Sequence, residues 1–180
     1  TQPLRNVITV GGNVMLPLRW SDLPLLLTVL RAAFVVRGAT SRVMDADAFF
    51  AKPPAQALRR GDLLTEVRVP PLTGLRLARH KIVRAHGDVP ALHVAVAAHR
   101  RRGLARDVRI AFVAQKPLPT RLPAAEQLLE GRTPDADRIA AAAQAARDTC
   151  GPLTDTRFSG EYLCEMLGVY VRRLVTECLA

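Results

Sequence analysis

LRLARHKIVR at residues 75–84, ALHVAVAAH at 91–99 and VRIAFVA at 108–114 read as three consecutive antiparallel strands. Gly87-Asp88 and Arg102-Gly103 supply the turns between them. Downstream, Thr133-Pro134-Asp135 has the signature of a helix start: a capping hydroxyl, a proline at the first position and acids in the first turn. The alanine-rich helix it opens runs to about Thr149. Ser159 then caps a long C-terminal helix in which Leu163, Leu167, Val171, Leu174 and Cys178 share one stripe. Helices gathered behind a strand meander predict an α+β fold, a three-stranded antiparallel sheet packed by helices.

Upstream the pattern changes. Leu63 to Val69 alternates as a half-buried strand does, and Pro70-Pro71 ends it, so the chain divides at residues 1–72 and 73–180. Val7-Ile8-Thr9-Val10 is a short β-branched run that ends in a turn at Gly11-Gly12-Asn13. Ser21-Asp22-Leu23-Pro24 opens a helix through the leucine block Leu25 to Leu30, with Asp22 as its N-cap. Ala33 to Arg37 reads as a strand and Arg42 to Met44 as its hairpin return. Asp45 to Phe50 reads as a short helical segment that sets Phe49 and Phe50 in a core, and Lys52-Pro53-Pro54 breaks regular structure. The first part is thus a mixed α/β lobe.

With 180 residues, 49% apolar and 23% charged, the chain can fold without a disulfide or metal staple. No apolar run approaches the roughly 20 residues of a membrane helix. The three cysteines, Cys150, Cys164 and Cys178, are too sparse for a disulfide framework or a zinc site. No secretory leader pattern opens the chain, so a cytoplasmic location is expected. The net charge of +10 raises nucleic acid as a partner, but arginine is dispersed, lysine is confined to Lys52, Lys81 and Lys116, and only 4% of residues are aromatic. Nucleic acid is therefore not the expected partner; an arginine-rich genome or a basic face toward an acidic partner accounts for the charge.

Other signals are bland. Arg100-Arg101-Arg102 reads as a solvated hairpin tip, and Asp155 with Arg157 as a surface ion pair. Lys81, His80 and His86 read as a polar cluster at the junction of the two parts. His93 and His99 have no ligand-like spacing to a carboxylate, so no metal is expected. Cys164 and Cys178 read as core thiols.

Three segments, in order, resemble one family. Arg5 to Asn13 followed by Ser21-Asp22-Leu23, Phe49-Phe50 followed by Gly61 to Pro70, and Lys81, Arg84, Asp88 and Pro90 leading into Val94 to Ala97 look like the FAD-binding medium subunit of molybdenum hydroxylases. Pro117 to Gly131 and Asp155 to Arg173 continue the likeness. The resemblance implies FAD as cofactor, with Thr9, Gly11, Gly12 and Asn13 on its phosphates and Asp22 on a sugar hydroxyl. It places Leu64 against the isoalloxazine and Lys81 nearby as a positive charge. It also implies electron relay from iron–sulfur clusters to an external acceptor, within an assembly whose other subunit holds molybdenum.

The chain departs from the family pattern in three ways. The lobe carrying the first glycine-rich phosphate loop is missing, so a partner chain or a second copy is expected to supply it. Losing it is expected to expose part of the leucine block Leu25 to Leu30. Pro17-Leu18-Arg19 replaces the family's Ala-Ser-Pro, and Lys52 to Gln56 replaces Gly-Tyr-Arg-Lys-Thr. An alternative reading follows: a flavin-free protein whose cleft, walled by Val14 to Trp20 and Leu63 to Val67, binds an apolar small molecule and guides a cyclisation or rearrangement. Met15, Leu18 and Trp20 would then line it. A third reading is an interaction module.

Overall fold

A computed structural model describes residues 2–85, 87–151 and 155–179. The meander of the second part forms as the alternation predicts. β4 (Leu75–Ile82), β5 (Leu92–Arg101) and β6 (Leu104–Val113) pair antiparallel in that order, and a two-residue β7 (Thr120–Arg121) extends the sheet beyond β6. Two residues between prolines carry no periodicity, so β7 is invisible to pattern reading. Positive φ at Arg102 and Gly103 gives the two-residue turn whose twist suits a hairpin.

Three helices cover one face of this sheet: α6 (Pro123–Leu129), α7 (Ala136–Thr149) and α8 (Gly160–Leu179). Ser159 Oγ accepts from Tyr162 N–H at 3.2 Å, and the stripe from Leu163 to Cys178 is buried against Val94, Val96 and Ala98. The cap of α7 is Asp135 rather than Thr133: its carboxylate accepts from Arg138 N–H at 2.9 Å. Asp135 at that place keeps both Pro134 and Thr133 outside the helix. Gly168 brings α8 close to α7, since a Cβ there would lie 3.1 Å from the Ala143 carbonyl.

The first part holds a second sheet in the order β2 (Ser41–Asp45), β1 (Ala33–Arg37), β3 (Leu63–Arg68). α4 (Ala46–Phe50), capped by Asp45, sets Phe49 stacked on Phe34 at 4.1 Å with Phe50 edge-on to both. A single turn, α5 (Pro54–Ala57), follows the proline break. The N-terminal strand, however, does not form. Residues 2–15 make two short helices, α1 (Gln2–Val7) and α2 (Val10–Met15). β-branched residues favour a strand only where a neighbouring strand pairs with it. β1 already has β2 and β3 on its two sides, and the Thr9 hydroxyl caps α2 locally.

The leucine block also departs from expectation. α3 (Leu23–Val29) buries Leu25, Leu27 and Val29. Leu25 and Val29 pack on Ala95, Ala97, Ala111 and Val113, the face of the second sheet opposite α8. Small alanines on that face let the helix sit close. β5 is therefore buried on both sides, with Leu92 to Ala98 continuously inside. The exposed apolar surface lies instead at Val7, Ile8, Val10, Leu16 and Trp20.

Candidate functional site

The turn before α2 is built by Thr9. Its backbone is extended, its Oγ1 accepts the Gly12 N–H at 3.0 Å, and its carbonyl accepts the Asn13 N–H at 3.0 Å. Gly12 leaves room for this contact, since a Cβ there would come to 3.0 Å from Thr9 Oγ1. A Cβ at Gly11 would meet nothing within 4 Å, so the backbone is open to close approach on that side. Both glycines are helical, so they serve proximity and not a reversed φ.

Asn13 Oδ1 accepts from Ser21 Oγ in a short contact, which clasps α2 to the start of α3. Between these elements lies a cleft of about 550 Å³. Val7, Ile8, Leu16, Leu18 and Trp20 give it apolar walls, and Thr9, Asn13, Ser21 and Asp22 give it polar groups. Apolar walls with a few convergent polar groups are the usual make-up of a cofactor or ligand site.

The structure thus brings Thr9, Gly12, Asn13, Leu18, Trp20 and Asp22 to one place. Gly11 is on the same turn but not in the lining. Leu64 and Met15 lie elsewhere: both are half-buried against the Phe34 cluster, and Val14 is wholly buried in it. Of the expected Val14 to Trp20 wall only Leu16, Leu18 and Trp20 face the cleft, and nothing from Leu63 to Val67 lines it.

Asp22 occupies the N-cap position of α3, yet its backbone is helical and its side chain makes no cap hydrogen bond. It is drawn instead to the second sheet. Lys81 Nζ lies 2.7 Å from Asp22 Oδ1, Arg79 Nη1 3.7 Å and His93 Nδ1 3.5 Å. Arg79 and Lys81 are two apart on β4, and His93 on β5 is directly opposite Lys81, so all three project from one face. The Lys81 contact is an ion pair by distance; its directed hydrogen bond goes to the Trp20 carbonyl at 3.2 Å. Lys81 thereby joins cleft and sheet from outside the lining.

His80 does not join Lys81, because neighbours on a strand face opposite ways. Its ring stacks on Tyr170 of α8 at 3.9 Å, where burial and then the Arg173 charge hold its pKa below the usual value. His86 lies outside the described residues. The residue missed by spacing is His93, which is fully buried. Burial pushes its pKa down to about 4, with Asp22 opposing that shift. Its apolar strand neighbours hid it, and no local spacing links it to a carboxylate 71 residues away.

The Asp155–Arg157 pair is a correction of a different kind. The Asp155 side chain is 3% exposed and accepts from the Arg157 guanidinium, the Arg157 N–H and Arg19 Nη2. Arg157 first, then Arg19, hold its carboxyl well below the usual carboxylate range. Arg19 precedes α3, so this buried knot ties the cleft segment to the C-terminal helices. Cys178 is a core thiol as expected, whereas Cys164 is half-buried and donates to the Gly151 carbonyl at 3.3 Å.

Residues 1–72 match the FAD binding domain in molybdopterin dehydrogenase, and residues 78–178 match the CO dehydrogenase flavoprotein C-terminal domain. The chain belongs to the CO dehydrogenase flavoprotein family. It is 29% identical over 175 residues to the glyceraldehyde dehydrogenase medium chain of Sulfolobus acidocaldarius, covering 97% of this chain and 62% of that one. It is 29% identical over 179 residues to the carbon monoxide dehydrogenase medium chain of Hydrogenophaga pseudoflava, covering 98% and 62%. Among solved structures, carbon monoxide dehydrogenase from H. pseudoflava superposes with a TM-score of 0.88 at 30% identity, covering 99% of this chain and 63% of that one. Reconstituted CO dehydrogenase from Oligotropha carboxidovorans gives 0.86 at 28%, covering 99% and 63%. The chain spans about three-fifths of the length of these relatives. Among the described residues no helix is long and apolar enough to cross a membrane.

Proposed function

We propose that this chain is the FAD-binding part of a cytoplasmic medium subunit of a molybdenum hydroxylase, with further polypeptide covering the open side of the cleft. The observation that carries this is the cleft itself: four of the residues assigned to FAD by the resemblance, Thr9, Gly12, Asn13 and Asp22, converge there beside an exposed indole. Its donor set fits one side of a dinucleotide. Thr9 Oγ1 already accepts the Gly12 N–H, which leaves its O–H to donate outward. Asn13 uses its Oδ1 on Ser21, which leaves its amide N–H groups to donate to a phosphate. The open backbone at Gly11 admits close approach. Asp22 offers a carboxylate oxygen to a sugar hydroxyl, and Lys81 brings positive charge to the same end. When bound, FAD would supply the one- and two-electron chemistry of the relay.

The open side of the cleft carries Val7, Ile8 and Leu16, each more than half exposed, which is a surface suited to being covered by further polypeptide. Trp20 is the sole tryptophan, so its emission reports on the cleft. FAD titrated into the protein quenches Trp20 fluorescence, and flavin absorption bands co-elute with the chain on gel filtration. A colourless eluate with unchanged Trp20 emission overturns the proposal.

A further inference from the structure

Among the described residues, Asp22 Oδ1 and both ring nitrogens of His93 are buried side-chain atoms without a hydrogen-bond partner. The oxygen has the Lys81 ammonium 2.7 Å away as an ion pair, whereas the fully buried imidazole has no hydrogen-bond partner on either nitrogen, which is costly. The two groups are 3.5 Å apart from Nδ1 to Oδ1, so a small rotation of either side chain pairs them. The Asp22 side chain is nonetheless 37% exposed with Oδ1 buried, so Oδ2 is the oxygen that faces outward, on the lining of the cleft.

We propose that His93 is a positioning residue of this cleft: a neutral imidazole that donates Nδ1–H to the buried oxygen of Asp22, holding the other oxygen toward the cleft as the acceptor for a sugar or polyol hydroxyl of the bound ligand. Arg79 and Lys81 flank the same buried oxygen from β4, while His80 faces the other side of that strand. Lys81 lies close enough to that oxygen for an ion pair, and Arg79 stands a little farther off. They also disfavour a proton on His93, and burial acts in the same direction, so the imidazole stays neutral with one N–H to give. Lys81 shares its ammonium between the Trp20 carbonyl and this oxygen, so His93 is a further donor that fixes the carboxylate's orientation from the sheet side. A fixed carboxylate spares the ligand the ordering of a mobile one. The ligand half of this inference rests on the flavin assignment; the pairing of His93 with Asp22 does not.

Two measurements separate them. In the ligand-free protein, long-range ¹H–¹⁵N NMR of the His93 ring shows a neutral imidazole protonated at Nδ1, and Asp22→Asn shifts that nitrogen. A ring signal indifferent to Asp22→Asn overturns the inference whatever FAD does. FAD affinity is then measured by Trp20 quenching in a double-mutant cycle. His93→Leu weakens binding about tenfold, and His93→Gln, which keeps an N–H donor, recovers it to within about threefold. In an Asp22→Asn background His93→Leu changes affinity less than about twofold. Wild-type affinity in His93→Leu overturns the positioning role. Protein that binds no FAD yet shows the Asp22-dependent ring shift removes the flavin assignment and leaves the pairing supported.

Discussion

Residues of three kinds meet at the cleft, and they differ in how far sequence reading reaches them. Thr9, Gly12 and Asn13 are local to one turn, so their joint placement follows from a short stretch of chain. Asp22 was read as a helix cap, and it stands at the cap position, but its carboxylate turns away because Lys81 and Arg79 offer a stronger partner than the α3 amides. His93 was out of reach, since its value comes from a strand pairing and from burial. That burial has a testable consequence in pH. The folded-state pKa of about 4 lies below the ordinary 6.5, so as pH falls the unfolded chain takes up this proton first. Stability from this group is complete above pH 6.5, declines between 6.5 and about 4, and levels off below. Burial sets most of this; Asp22 opposes it, Lys81 and Arg79 on the same face of β4 add to it, and His80 adds to it from the other face of that strand. The full difference corresponds to about 3 kcal/mol. Urea unfolding at pH 7 and pH 4.5 shows a smaller acid-induced loss in His93→Leu than in wild type, by about 2 kcal/mol. Equal losses in the two proteins would refute the neutral buried state.

At the scale of elements, legibility tracked how much of each element's stabilisation is local. α8 was readable because its stripe repeats over 20 residues, and the β4–β6 meander because alternation and glycine turns agree. The segment before Asn13 was misread because β-branched composition outweighed a cap that a single threonine supplies. The leucine block reads correctly as a helix; of the part expected to be exposed, Leu26 and Leu30 are half-buried, while Leu25, Leu27 and Val29 are inside. The alanines that receive it, Ala95, Ala97 and Ala111, are small, and pattern reading gives little weight to small residues as a docking face. α3 thereby covers a sheet made by the second part of the chain. Leu25 is fully buried in that contact, so Leu25→Ala leaves a cavity and costs about 3 kcal/mol in urea unfolding. Leu16→Ala, at a residue 67% exposed on the cleft rim, costs within about 0.5 kcal/mol. Similar losses for the two variants would mean that α3 does not dock as described.

At the scale of the whole molecule, the division at residue 72 is best treated as a proposal about descent rather than stability. The two matched families meet near the proline connection between β3 and β4. Yet several features cross it, chief among them α3 lying on β5 and β6 and the Arg19–Asp155 ion pair, which joins the segment before α3 to the chain before α8; the contacts of Asp22 with Lys81, Arg79 and His93 cross it as well. The first has Leu25 and Val29 buried to 1% exposure or less, and the second has an almost wholly buried carboxylate, so each is costly to open. Separate unfolding of the first part would expose both at once, which makes a populated half-folded state unfavourable. Trp20 lies in the first part, and the helices that dominate far-ultraviolet circular dichroism, α7 and α8, lie in the second. Urea curves followed by Trp20 emission and by circular dichroism should therefore coincide, with one midpoint and one slope. In Leu25→Ala combined with Asp155→Asn, which weakens the two most buried of these crossing features, the Trp20 transition moves to lower urea than the circular-dichroism transition. Separated midpoints in the wild type would show two independent units, and the cleft would then be a property of residues 1–72 with Asp22 free of His93 for part of the time.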